Sequence, residues 1–586
     1  MLSLSSTAYL SILVRVIVAL CTRTVFQPDE YFQSLEPAYQ IVFGYGHLTW
    51  EWLAPKPIRS ILYPALNVPI YWLLKISGLA DAGALGDWLL ILLPKVLHGL
   101  FASAADIWLC ELTRLVLGNV YVSTALFLSL SSFFNALSLS RSLSNSLETS
   151  LCTIAYASYP WDASPNLSSQ LMFNRSRLRK TLIFSALACM VRPTNAIIWV
   201  FLYGKLLWGY RSHKKLAVTL LLEALVVGGL ALLSLFAIDT IYYSKPTFTP
   251  LNFLLTNLSS VSLFYGSNPW HYYLSQALPI LCTTALPFTL HGIWLSISEK
   301  RSTALKTMFA TVIWSIGIYS LAGHKEWRFI HPILPLLYVF AAKSLVDLSH
   351  GYVTKRTDKP KPKSRRAYPS WSSNLRQLLP PIRPRYVTLL LATLPASLYI
   401  VLFYCSGPVS VLSYIRSLSE DELRNGSIGV LMPCHSTPGH AYLHREMLAN
   451  GSMWSLGCEP PLENQALAVY HDQTDVFFSS PISYLKTYFP KKVNPSFPQS
   501  PFPTSIPGAP SLQSENGIYP WKHEWPRHLI FFGDLLRQDG VKSLLEQQGY
   551  KEVWKGGREW EGEGQRKGAV RVWKWNTQAA NHKYLL

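Results

Sequence analysis

An all-α polytopic membrane protein of about eleven spans, followed by a small α/β domain, is the architecture this sequence predicts, and three features predict it. Apolar stretches long enough to cross a ~30 Å hydrocarbon core recur along the first two thirds of the 586 residues. Only 15% of the chain is charged against 49% hydrophobic, where soluble proteins carry about a quarter charged. Beyond residue 412 charges return and strand-like runs begin. This composition excludes a disordered chain, and a mean hydropathy of +0.19 argues against a string of soluble domains. A net charge of +19 would suggest nucleic acid in a soluble protein. Here the basic residues fall in short segments between apolar runs, the positive-inside pattern, so no nucleic-acid partner is implied.

Spans are expected near residues 6–22, 88–112, 119–138, 145–162, 215–237, 275–297, 305–322, 328–347 and 386–406. Region 181–209 carries Arg192-Pro193 at its middle, between the clusters Arg177/Arg179/Lys180 and Lys205/Arg211/Lys214/Lys215. Both clusters face the cytosol only if the region crosses twice, so it is read as two short helices meeting at that proline. With Lys300/Arg301/Lys306, the run 355–366 and the N-terminus also cytosolic, region 61–78 must stay on the far side as an embedded or interfacial helix. The first stretch has Arg15 inside it and no small-residue cleavage site, which favours an uncleaved span over a signal peptide.

The expected domains are therefore 1–412, a membrane domain with a long non-cytosolic first loop at 23–87, and 413–586 on the same side as that loop. In the second, runs 428–432, 529–532 and 570–575 read as strands, 535–548 as a helix, and the proline-rich 494–510 as an extended loop. Cys434 and Cys458 fall in this domain and could pair in an oxidising compartment, or remain free thiols. Of five Asn-x-Ser sequons, Asn257, Asn425 and Asn450 lie on the non-cytosolic side and are the glycosylation candidates; Asn166 and Asn174 fall in the cytosol.

Residues able to carry chemistry concentrate in the non-cytosolic loops. The run from Phe26 to Glu36 sets the adjacent carboxylates Asp29 and Glu30 directly after a span. A carboxylate held there can take a proton from an attacking hydroxyl; the same pattern also fits a helix start, with Pro28 in its first turn. Further along, His47, Trp50 and Glu51 precede Arg59, which could hold a phosphate with its planar fork or simply anchor the loop at the interface. His324, Lys325 and Arg328 place three potential cations in a short loop against the positive-inside tendency, which favours an anion-binding role. Asp106 and Glu223 lie within spans, where they could relay protons or pair with a neighbouring helix. Cys434-His435 with His440 and His444 lack the second cysteine pair of a metal site, so no metal is expected. Phosphate-cradling glycine loops are absent, which leaves a nucleotide-sugar donor unsupported.

Taken together, the Gln-Pro-Asp-Glu run at 27–30, Ile-Arg-Ser-Ile-Leu-Tyr-Pro at 58–64 and His-Lys-Glu-Trp-Arg-Phe at 324–329 resemble glycosyltransferase family 22, the dolichyl-phosphate-mannose-dependent mannosyltransferases of the endoplasmic reticulum membrane. The runs at 43–52, 140–148 and 432–440 are similar to the branch that acts on GPI-anchor precursors. What the resemblance implies is the multispan GT-C fold and transfer of a third mannose, α1,2-linked, from dolichyl-phosphate-mannose to a dimannosyl GPI precursor glycolipid, with inversion and without a cofactor. It implies Asp29, or else Glu30, as the base, and Arg59, His324, Lys325 and Arg328 at the donor phosphate. His47, Trp50 and Glu51 would belong to the acceptor side. A sister transferase of N-glycan lipid assembly and, from another class, a lipid transporter are the alternatives; transporters favour inverted repeats, and none is evident.

Overall fold

The computed structural model describes residues 4–161, 174–259, 261–299, 303–356, 380–424, 426–462, 470–504 and 519–576. Its contacts group into two compact units, each built from separated pieces of the chain. The first comprises Met1–Cys21, Lys95–Pro250 and Tyr265–Leu398; the second comprises Thr22–Pro94, Leu251–Phe264 and Tyr399–Leu586. The first loop thus packs as one body with the C-terminal part of the chain.

Among the described residues, six helices are long and apolar enough to cross a membrane: Ala84–Val116, Lys214–Tyr243, Tyr273–Ser298, Thr303–Leu321, Trp327–Ser349 and Pro384–Arg416. With the shorter Ser6–Cys21 and Asn119–Ser131, and with Ser144–Ser158, Arg175–Val191 and Ala196–Gly209, they occupy the eleven expected stretches. The break at Arg192-Pro193 is as expected: Arg192 is extended (φ −143°, ψ 110°) because a following proline disfavours the helical region, and a 3₁₀ turn starts the next helix.

Within the first unit, Trp327–Ser349 is the enclosed helix, with nearly its whole length buried. The helix Leu286–Ser298 meets it at Gly292, where a Cβ would collide with the Phe340 carbonyl, so only glycine lets the two backbones approach. Arg15, which argued against a signal peptide, is fully buried against Asp106, with Nε and Nη2 donating to the two carboxylate oxygens at 2.7 and 2.8 Å. Ser129 donates to Asp106 (2.6 Å), Asn135 donates to Ser129 (3.0 Å), and Asn135 Oδ1 lies 3.1 Å from His331 Nε2 on the enclosed helix. Asp106 is therefore an ion-pair partner. Glu223, the other carboxylate expected within a span, holds Arg175 and Arg179 of a neighbouring helix at 2.5 and 2.8 Å.

In the second unit, the embedded-helix expectation for 61–78 corresponds to two short helices, Leu62–Ala65 and Val68–Ile76; Tyr71 and Leu74 point inward while Trp72, Leu73 and Ile76 are exposed. A five-stranded sheet comprises β1 (Ile428–Val430), β2 (Met453–Ser455), β3 (His528–Phe532), β4 (Tyr550–Gly556) and β5 (Val570–Trp575), in spatial order β2-β1-β3-β5-β4. β1 runs parallel to β2 and β3, and β5 antiparallel to β3 and β4. β2 and β4 lie outside the expected strands: Met453-Trp454-Ser455 belongs to no longer apolar run, unlike β1 within 428–432, and β4 is an edge strand whose Lys551, Glu552 and Lys555 keep it polar. The helix expected over 535–548 is shorter, a 3₁₀ turn at Gly533–Arg537 and a helix at Val541–Gln547, because Gly540 takes a left-handed conformation (φ 78°) between them. The proline-rich loop 494–510 is described only to residue 504.

Removing one partner of a buried ion pair leaves the other charge uncompensated, at a cost of about 3–5 kcal/mol. Asp106→Ala should therefore lower the thermal midpoint of the detergent-purified protein sharply, while Arg15→Met combined with Asp106→Leu recovers much of the loss. A double variant no more stable than the single one would show that the pair's hydrogen bonds to Ser129, not its charge balance, hold this part of the bundle.

Candidate active site

The first loop enters a helix at Pro28, whose carbonyl accepts from the Tyr31 and Phe32 N–H groups, and the next turn widens to a π-helix over Tyr31–Leu35. Such π-turns cluster at functional sites because they re-aim the side chains around them. The two adjacent carboxylates have different surroundings. Glu30 is buried and its Oε1 accepts the backbone N–H groups of Phe26 (2.8 Å) and Gln27 (3.2 Å), the reach-back of a helix-capping glutamate. Asp29 is half-buried, and its charge acts on His435.

One turn on, Glu36 is fully buried. Its Oε2 accepts the His47 N–H at 3.0 Å and its Oε1 the Ala441 N–H at 2.6 Å, and a Cβ at Gly439 would lie 2.7 Å from its carboxyl carbon. The carboxyl thus ties the motif run 43–52 to the end of the run 432–440, which packs on it at Gly439, and to Ala441 just beyond. Burial pushes its pKa up to about 7 against the backbone donors that favour ionisation. Burial likewise lowers His47, and holds His435 and His440 neutral down to about 3 and about 4.

Glu51 and Arg59 meet each other: Arg59 Nε and Nη2 both donate to Glu51 Oε1 at 2.9 and 2.7 Å, and Gln33 donates to Glu51 Oε2 at 3.0 Å. The guanidinium stands 5.9 Å over the Phe253 ring, and Asn252 donates to the Pro57 carbonyl (2.9 Å), so helix Thr249–Leu258 braces the loop. Trp50 packs with Ala54 and Ile58 beside Phe253.

In the first unit two cations of the 324–328 segment, His324 and Arg328, meet at Glu326, to which the sequence assigns no role. Arg328 grips it through Nε (2.5 Å) and Nη2 (2.9 Å), and His324 Nε2 lies 3.2 Å from it while Nδ1 faces the Gly266 carbonyl at 2.9 Å. The hydrogen bond to Glu326 raises the pKa of His324. Burial pulls Glu326 upward, but Arg328 and His324 outweigh it and hold the carboxylate ionised well below its usual range. Lys325 is buried and donates to the Asn268 carbonyl at 2.8 Å. Close by in sequence, Phe329 lies under Arg192 (5.4 Å), whose Nε faces Glu148 Oε2 at 3.4 Å and whose Nη1 donates to Ser144. Asn195 completes that buried network by donating to Glu148 Oε1 at 2.7 Å.

Cys434 and Cys458 are joined in a disulfide, Cα atoms 5.9 Å apart. Their sulfurs and His435 form a three-donor group, but bridged sulfurs are not thiolate ligands. Of the sequons, Asn257 is exposed on helix Thr249–Leu258 and donates to the Phe253 carbonyl, Asn450 sits exposed in a turn, and Asn425 lies outside the described residues. Asn174 caps the helix Arg175–Val191, and Asn166 lies outside the described residues.

A family model described as the Alg9-like mannosyltransferase family matches residues 6–444. The chain is 36% identical over 486 residues to GPI mannosyltransferase 3 of Yarrowia lipolytica, covering 82% of each protein. It is 34% identical to GPI alpha-1,2-mannosyltransferase 3 of Mus musculus, covering 82% of this chain and 78% of that one, and 30% identical to its Homo sapiens counterpart, covering 91% and 85%. Among solved structures, ArnT from Cupriavidus metallidurans bound to undecaprenyl phosphate superposes with a TM-score of 0.54 at 11% identity, covering 98% of both chains, which shows the GT-C fold.

Glu36 makes stability pH-dependent in a definite direction. Its folded pKa, about 7, lies above the 4.5 of a free glutamate, so its contribution is full below 4.5 and is lost as pH rises to about 7. Glu36→Gln leaves one backbone N–H without an acceptor and should destabilise by about 1–3 kcal/mol at low pH. Thermal midpoints should show this gap narrowing between pH 5 and pH 7.5; a gap that widens with pH would mean that the native carboxyl is ionised throughout.

Proposed function

Because the chain belongs to the Alg9-like mannosyltransferase family, we propose that it adds the third mannose of a GPI anchor, in α1,2 linkage, to the dimannosyl precursor glycolipid, drawing it from dolichyl-phosphate-mannose at the lumenal face of the endoplasmic reticulum membrane. The observation that carries the acceptor is the likeness to proteins named for that step across 82% of the chain or more. The N-terminus is then cytosolic and the second unit lumenal.

The donor is a β-linked phosphate ester and the product an α-glycoside, so one displacement inverts the anomeric carbon. The acceptor hydroxyl oxygen forms the new bond to that carbon as the bond to the phosphate oxygen breaks, and the hydroxyl proton goes to a carboxylate. Asp29 is assigned that role, since both backbone donors of the capping turn already hold Glu30. Dolichyl phosphate leaves with the bonding electron pair, and Arg328, Lys325 and protonated His324 meet its charge. Glu326 fixes the first and last of these in orientation. Arg59, its fork on Glu51, is assigned to shaping the loop. A lipid-linked phosphate monoester can be met by side-chain cations, so the step requires neither metal ion nor cofactor.

Asp29→Asn keeps shape and hydrogen bonding but removes basicity, so turnover should fall by at least ~10² with the protein still accumulating. Glu30→Gln should instead lower the thermal midpoint and spare more of the activity. If the two phenotypes are exchanged, Glu30 is the base.

Membranes depleted of this protein should accumulate a dimannosyl GPI precursor, resolved by mass spectrometry of extracted glycolipids. Accumulation of a truncated dolichol-linked oligosaccharide would instead assign the chain to N-glycan assembly.

A further inference from the structure

The second unit contains a cavity of about 330 Å³ that the catalytic assignment does not use. It lies along one edge of the sheet. Phe532 ends β3, Gly556 ends β4 and Val570 starts β5, and these three are neighbours in register; His435 and Ser436 follow the end of β1. The carboxyl edge of parallel strands is where open α/β sheets place ligands. The opposite wall is Gln27 and Pro28, immediately before Asp29, together with Tyr404 and Cys405, which follow the apolar helix Leu394–Leu402 by a few residues.

A glycine-rich loop between β4 and β5 overhangs this space, with Gly557, Gly562, Gly564 and Gly568 all at positive φ. It carries two cations and two carboxylates into the lining: Arg558, Glu561, Glu563 and Arg566. Glu561 fixes the loop in place, accepting from the Tyr399 hydroxyl (2.5 Å), the Cys405 N–H (3.2 Å) and Arg558 (3.1 Å). Glu563, Arg566 and Gln27 make no side-chain hydrogen bond or ion pair among the described residues, so an acceptor, a fork of donors and an amide stay available to a ligand. His435 is held across from them with φ 56°, a conformation that side chains other than glycine's rarely adopt and that recurs at ligand sites.

Charge decides the ligand class. A phosphate here would meet two carboxylates, whereas a neutral polyol both donates and accepts and is served by mixed partners with aromatic walls such as Phe26 and Tyr404. We infer that this cavity is a subsite for the acceptor glycan, holding a sugar next to the one whose hydroxyl Asp29 deprotonates. This rests on the proposal above that the acceptor is a lipid-linked glycan.

The test uses the full-length protein in detergent, with KM measured separately for acceptor glycolipid and donor. Glu563→Gln and Arg566→Ala alter exposed side chains and should each raise the acceptor KM about fivefold or more while leaving the donor KM unchanged. In the wild type, maleimide labelling of Cys405, with Cys405→Ser as the blank, should slow at saturating acceptor and not at saturating donor. An unchanged acceptor KM in both variants, a rise in donor KM instead, or labelling that the acceptor does not slow would overturn the subsite. If the wild type fails on the dimannosyl GPI lipid but transfers to a dolichol-linked oligosaccharide, the proposed function falls, and the same measurements on that acceptor decide the subsite.

Discussion

The Arg15–Asp106 pair is the contact on which the first unit depends most. An unpaired charge among apolar helices is costly, and this one is matched by two hydrogen bonds from a guanidinium on the first helix. Ser129 and Asn135 extend the pairing to His331, near the start of the enclosed helix Trp327–Ser349. The loop that precedes that helix carries His324 and Lys325, and its first turn carries Arg328. An interaction that makes no chemistry of its own thereby fixes the base from which the candidate phosphate ligands project. Glu148 and Arg192 do the same for Phe329 from the other side.

Carboxylates divide their labour by the donors around them. Glu30 and Glu36 accept backbone N–H groups, one closing a helix start and the other joining two distant loops. Glu51 and Glu326 accept guanidinium groups and orient them. Asp29 is half-buried, and its charge acts on His435, a histidine that burial keeps neutral.

The helices were legible because span length and the side on which basic residues fall are properties of the chain itself, and even the break at Arg192-Pro193 follows from the restriction a proline places on the residue before it. The joining carboxylates were not legible. Glu36 lay in plain view in the run from Phe26, but its role is set by Ala441, and no local pattern announces a partner that far along the chain. Glu326 was missed for a different reason. The three cations of the motif are conspicuous by their charge, whereas Glu326 is grouped with His324 and Arg328 by the turn from the bend at 324 into the 3₁₀ helix Trp327–Ile333, which no side-chain spacing in the sequence announces. β2 and β4 escaped because β2 stands in no longer apolar run, as β1 does, and the exposed charges of β4 interrupt its pattern.

The bond from Ala441 to Glu36 also governs how the protein is made. Its partners are 405 residues apart, so at about 5–20 residues per second of synthesis the first loop waits on the order of a minute for the segment that covers it. Through that interval Tyr31, Ala38 and Tyr39, all nearly or fully buried in the finished protein, have no permanent neighbours from the C-terminal part. The core of the first loop is therefore completed only late in synthesis, once the segment around Ala441 has emerged.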